Sequence, residues 1–172
     1  ALDSTFYLGI APELYLKRLI VGGFEGVFEF AKNFRNEGMD KNHNPEFTMI
    51  ELYVAYKDYE WMMQFVENMI EHICLKVFGK TEFEIEGKLV NFKAPWQRVS
   101  MVDELLAKTG IDIRTASKEE IAAYLDKLDV KYDPKENRGN LIDELFEVVV
   151  QKNLIQPTFV TDYLIEMSPL AK

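Results

Sequence analysis

The chain has one cysteine, Cys74, in 172 residues, so an intramolecular disulfide is excluded and a reducing, cytoplasmic compartment is expected. It lacks any apolar run long enough to span a bilayer and any stretch resembling a signal peptide, which argues against a membrane role. Basic residues are in deficit, 20 against 29 acidic, and a net charge of −9 opposes unspecific attraction to a nucleic-acid backbone. If this chain serves RNA, the grip on RNA lies elsewhere. Repeats and low-complexity tracts are also missing from the sequence. What is present, 48% hydrophobic and 28% charged residues, suits one domain with one substantial core. The text starts in mid-domain style at Ala1 and stops at Lys172 after Ser168-Pro-Leu, and so reads as a piece of a longer protein.

Thr5 to Ile10 alternates like a strand, and Pro12 opens a helix expected to run to about Val21, with Gly22 and Gly23 as its stop. From Phe24 to Glu37 the residues Phe28, Phe30 and Phe34 share one parity, and Glu29, Asn33, Arg35 and Glu37 share the other. A strand sends alternate side chains to opposite faces, so one face is predicted to be core and the other chemical. After the turn-forming stretch Gly38 to Pro45, a second run repeats the pattern, with Ile50, Leu52, Val54 and Tyr56 on one side and Phe47, Glu51 and Tyr53 on the other. The two runs predict a long antiparallel hairpin over about 24–56.

Asp58 is placed to cap a helix in which Met62, Phe65, Val66, Met69, Ile70, Ile73 and Val77 recur at helical spacing, a packing helix with Cys74 as core filling. Thr81 to Lys93 alternates around Glu86 and Gly87 and predicts a shorter hairpin. Helical stretches introduced by Ser100, by Ser117 in capping-box spacing with Glu120, and by Asn140 read as a small helical insertion over about 97–154. Residues 157–163 return to strand character, and this segregation of helices from antiparallel strands predicts an α+β fold.

The chemical face of the hairpin gathers Arg35, Glu37, Phe47, Glu51 and Tyr53 at even spacing. An aromatic ring, a guanidinium and carboxylates on one side suit a nucleotide together with a cationic substrate. Spacing alone equally describes a solvated sheet face with a few ion pairs. Glu13 has the same ambiguity, because a carboxylate at a helix N-terminus is favoured by the helix dipole alone. His43 could simply turn the loop, and His72 sits on a helix flank away from these residues.

Phe34-Arg-Asn-Glu-Gly38 followed by His43-Asn-Pro-Glu-Phe-Thr-Met-Ile-Glu-Leu-Tyr53 resembles motif 2 of class II aminoacyl-tRNA synthetases in its lysyl form. Ala11-Pro-Glu-Leu-Tyr-Leu-Lys-Arg-Leu19, Gly22-Gly-Phe24, Thr158-Phe-Val-Thr-Asp-Tyr163 and Ser168-Pro-Leu170 extend the resemblance over nearly the whole chain. Gly26 and Leu164 depart from it, standing where many relatives have arginine and proline. The resemblance implies part of an antiparallel class II catalytic core and an ATP-dependent lysine–tRNA ligase that makes lysyl-adenylate and transfers lysine to tRNA(Lys). Within it, Arg35 is the catalytic residue bridging the α-phosphate and the amino-acid carboxylate. ATP is held by Arg35, Glu37, His43, Asn44 and Phe47, and lysine by Glu13, Glu51 and Tyr53.

Glu51 also argues against an acidic amino acid in that pocket. The magnesium ligands are expected beyond Lys172, and a homodimer is expected of the full-length protein. A stand-alone relative that lysylates a translation factor, or a non-enzymatic interaction domain derived from a synthetase, would share much of this pattern.

Overall fold

A computed structural model describes residues 3–36, 38–41 and 43–168. The chain divides into two compact units, Ala1–Tyr59 and Glu60–Lys172.

In the first unit, helix α1 spans Glu13–Val21. Pro12 is its N-cap, one residue before the first helical position, and Glu13 in the first turn and Arg18 in the last complement the helix dipole. The helix ends at Gly22, and Gly23, at φ +101°, turns the chain in a conformation that side chains disfavour. Strands β1 (Gly26–Phe34) and β2 (Glu46–Val54) pair antiparallel, with Val27 opposite Tyr53, Glu29 opposite Glu51 and Asn33 opposite Phe47. This is the hairpin that alternation predicts.

One expectation for this unit fails. Thr5 to Ile10 is not a strand, although the Phe34 amide donates to the Gly9 carbonyl at 2.8 Å. Without a neighbour to receive the other backbone groups, alternation alone does not make a strand, and Phe6, Tyr7 and Leu8 stay exposed. On the hairpin face expected to be core, Phe28 and Phe30 are each more than two-thirds exposed in this chain, while Phe34, Leu52 and Val54 are half-buried. On the chemical face Val27, Ala31, Phe47, Met49, Glu51 and Tyr53 are half-buried, Asn33 is fully buried and Glu29 is exposed.

The second unit begins with α2, Tyr59–Phe78, directly after Asp58. Cys74 is buried on it as expected, but Ile73 and Val77 are exposed. The other buried α2 residue is Glu67, whose carboxylate accepts two hydrogen bonds from Arg98, at 2.8 and 2.9 Å, and one from the Trp96 amide at 2.9 Å. Strands β3 (Glu82–Ile85) and β4 (Lys88–Asn91) form the short hairpin. Its turn residues Glu86 and Gly87 both have positive φ, the geometry that matches the twist of a tight hairpin.

Strand β5 (Gln97–Ser100) occupies the first residues of the stretch read as helical, and it pairs in parallel with β6 (Thr158–Thr161). Four residues end before helical or strand periodicity can be told apart. Helices α3 (Met101–Thr109), α4 (Lys118–Lys127) and α5 (Arg138–Val149) follow, then a 3₁₀ turn at Gln151–Asn153. Ser100 and Asn137 cap α3 and α5, and Ser117 with Glu120 closes the capping box of α4. The fully buried residues Met101, Leu105, Ile121, Leu141 and Leu145 unite these helices in one core. Among the described residues no helix is long and apolar enough to cross a membrane.

Candidate nucleotide and amino-acid site

The antiparallel register determines which side chains share the chemical face. Residues directly opposite each other in an antiparallel pair point the same way, so Val27 with Tyr53, Glu29 with Glu51 and Asn33 with Phe47 lie on one side of β1–β2. Arg35 continues that parity one step beyond β1, and its amide donates to the Pro45 carbonyl at 2.9 Å, so the pairing geometry persists to Arg35. Its Nε donates to the Ile10 carbonyl at 3.4 Å, and its guanidinium lies 5.2 Å from the centre of the Phe47 ring. A cation over an aromatic face is attractive.

Further along the same face, the Tyr53 hydroxyl donates to Glu51 Oε2 at 3.0 Å. Burial, then the hydrogen bond and charge of Glu51, then the charge of Glu13, push the Tyr53 phenol up to about 12, so it remains a neutral donor throughout the physiological range. Glu13, at the start of α1, is paired with Lys17 one turn later at 2.5 Å, and the Lys17 ammonium is 5.5 Å from the centre of the Tyr53 ring. Glu13 therefore joins Glu51 and Tyr53 electrostatically. It also borders a cavity of about 490 Å³ whose wall includes Ile10, Ala11 and Arg18.

The predicted residues thus fall into groups. Arg35 with Phe47 forms one, and Glu13, Glu51 and Tyr53 form another on the same side of the hairpin. His43 and Asn44 lie in the connecting loop and are engaged locally. His43 Nδ1 is 2.9 Å from each Asp40 carboxylate oxygen, and Asn44 Nδ2 donates to the Glu46 carbonyl at 2.6 Å. Glu37 lies outside the described residues.

Two participants carried no assigned role in the sequence reading. Lys17 was signalled by its position four residues after Glu13, the spacing at which helical side chains meet. Asn33 shares the parity of Arg35 and is 2% exposed, with its amide 3.8 Å from the Met49 sulfur. Among the described residues no group of three or more histidine, cysteine, aspartate or glutamate side chains could hold a metal ion.

A family model for class II tRNA synthetases (D, K and N) matches residues 1–172. The chain is 58% identical, over its full length, to a lysine–tRNA ligase of Porphyromonas gingivalis W83, of which it covers 30%. It is 54% identical to a lysine–tRNA ligase of Christiangramia forsetii, covering 30% of it. It is 53% identical to one of Azobacteroides pseudotrichonymphae, covering 34%. The chain thus spans about a third of the length of these relatives.

Proposed function

Because the chain belongs to the class II tRNA synthetases of the D, K and N group, we propose that it is part of the catalytic core of an ATP-dependent lysine–tRNA ligase. The observation that carries this reading is the register of β1–β2, which aims Phe47, Glu51 and Tyr53 to one side, with Arg35 in line. Three relatives that are more than half identical along the whole chain are named lysine–tRNA ligases, which favours lysine over the other amino acids of the group. In this reading residues 24–56 are motif 2 of a partial antiparallel core, 97–154 an insertion that is largely helical, and 157–163 a return strand.

The proposed chemistry follows from the side chains. A lysine carboxylate oxygen attacks the α-phosphorus of ATP, the bond to the β-phosphate oxygen breaks, and pyrophosphate leaves. Arg35 is always protonated and presents two parallel donors, so it can hold the attacking carboxylate and the α-phosphate together and stabilise charge gathering on phosphorus. Phe47 offers a flat apolar surface for adenine, and Glu37, His43 and Asn44 would extend the nucleotide contacts.

Lysine's amino groups meet the carboxylates of Glu13 and Glu51 and the hydroxyl of Tyr53, all of them acceptors or neutral donors at physiological pH. An aspartate side chain would meet repulsion there. Magnesium, when bound, would neutralise phosphate charge. Its ligands are proposed to lie outside this chain.

A hydroxyl of the terminal ribose of tRNA(Lys) then attacks the lysyl carbonyl carbon of the adenylate, the bond from that carbon to the phosphate oxygen breaks, and AMP leaves. A net charge of −9 puts the main grip on that RNA in other parts of the full-length protein, which we place in the cytoplasm as a homodimer. The deciding experiment is ATP–pyrophosphate exchange with the full-length protein. Exchange should depend on lysine and stay at background with aspartate or asparagine, and exchange driven equally by aspartate would overturn the assignment.

A further inference from the structure

Lys17 stands where the two ends of the amino-acid pocket meet. Its ammonium is 2.5 Å from Glu13 Oε1 and 5.5 Å from the centre of the Tyr53 ring, while the Tyr53 hydroxyl is bound to Glu51. One cation therefore links the carboxylate on α1 to the phenol and carboxylate on β2. From these contacts we infer that Lys17 is a positioning residue for lysine recognition, holding Glu13 beside the Tyr53 ring. The inference rests on the ligase reading above and adds a residue to it.

The physical case begins with the two carboxylates. Glu51 accepts the Tyr53 hydroxyl directly, and Glu13 acts on the same phenol through its charge. Left alone, Glu13 lowers its energy by swinging into water, because its side chain is already 48% exposed. A cation on the pocket side counters that tendency. Lys17 provides one from the same helix, with the acid N-terminal to the base at the four-residue spacing that favours such pairs. The Tyr53 ring then receives the ammonium on its face, which fixes the direction in which the Glu13–Lys17 pair leans.

Exposure separates this role from a structural one. The Lys17 and Glu13 side chains are 53% and 48% exposed, and pairs so accessible to water contribute little to the stability of a fold. Removing the ammonium should leave the protein folded while releasing Glu13. Its effect should appear in the binding of the amino acid and not in the handling of ATP, whose proposed contacts Arg35 and Phe47 engage each other.

The test compares Lys17→Met and Lys17→Arg with the unaltered full-length protein in ATP–pyrophosphate exchange, varying lysine and ATP separately and recording thermal unfolding. Lys17→Met should raise the KM for lysine about three- to tenfold while kcat and the KM for ATP stay within about twofold. The melting temperature should not move, and Lys17→Arg, which keeps the cation, should restore the lysine KM to within about twofold of the original. An unchanged lysine KM in Lys17→Met overturns the inference. So does a lowered one, which would make Lys17 a competitor of the substrate amine, and so does a joint loss of kcat, ATP affinity and melting temperature. Absence of lysine-dependent exchange in the unaltered protein would overturn the ligase reading and this inference together.

Discussion

Arg35 shows how neighbours can position a single side chain for its proposed role. Its backbone is bound to Pro45, its Nε to the Ile10 carbonyl, and its guanidinium lies 5.2 Å from the centre of the Phe47 ring. In the full-length protein Arg35→Ala should lower kcat/KM for exchange about 100-fold or more, the scale of losing an oriented donor to a developing charge. Arg35→Lys should recover only part of that, because an ammonium keeps the charge but lacks the fork. Equal activity of the alanine and native proteins would remove Arg35 from the mechanism.

Glu67 is the corresponding residue for stability. The hydrogen bonds from Arg98 hold its carboxyl below the ordinary value of 4.5, against the opposing effect of burial. A carboxylate with a depressed pKa stabilises the fold above its unfolded value, and that contribution is lost as pH falls from about 4.5 through the lower folded value. Glu67→Gln should cost about 2 kcal/mol at neutral pH, and urea unfolding should show a shallower loss of stability in acid than the native protein. An undiminished acid slope in the variant would assign it to other carboxylates.

At the scale of elements, Gly26 tests how well the site's own hairpin is optimised. It opens β1 without a positive φ, and a Cβ placed there would meet the Tyr53 carbonyl and Val54 side chain at 3.9 Å, an ordinary contact. Gly26→Ala should therefore stabilise the chain by about 0.5–1 kcal/mol in denaturant unfolding, by restricting the unfolded state without cost to the folded one. A destabilised variant would mean the strand needs glycine there for a reason outside the local geometry.

The same hairpin shows what alternation can and cannot reveal. Parity placed Arg35, Phe47, Glu51 and Tyr53 together because a strand has only two faces, and pairing preserves them. It could not tell how far each side chain would be covered in this chain, since Phe28 and Phe30 are apolar yet exposed while Asn33 is polar and buried. Burial depends on what packs against a face, and that is not a local property. The caps at Ser100 and Ser117 were legible because they are local hydrogen bonds. The parallel pairing of β5 with β6 was not, because it joins residues about sixty positions apart through four-residue strands. Lys17 was visible within the α1 motif, but its contact with the Tyr53 ring needs the helix placed beside the hairpin.

Over the whole chain, stability and chemistry are unevenly distributed. The fully buried apolar residues Met101, Leu105, Ile121, Leu125, Leu141 and Leu145 all belong to the unit Glu60–Lys172. In the unit Ala1–Tyr59, which carries every proposed substrate contact, Leu16 is the one hydrophobic side chain in the buried core among the described residues. In the isolated 172-residue chain a hairpin with so little apolar burial opens at low free energy, so amide exchange along β1 and β2 should be much faster than along α3–α5.

Such opening would bear on catalysis by the isolated chain. Oriented donors accelerate a reaction only if they are already in place when charge develops, and a site that opens frequently loses that advantage. The 172-residue chain alone also offers one assigned guanidinium, Arg35, against a strongly anionic triphosphate, and it spans only about a third of its lysine–tRNA ligase relatives. Its lysine-dependent ATP–pyrophosphate exchange is therefore expected to be at least about 1,000-fold below that of the full-length protein, a difference of about 4 kcal/mol in transition-state stabilisation. Measured side by side at equal concentration, comparable rates would show that the hairpin is preorganised without further support and that this chain already contains the complete catalytic set.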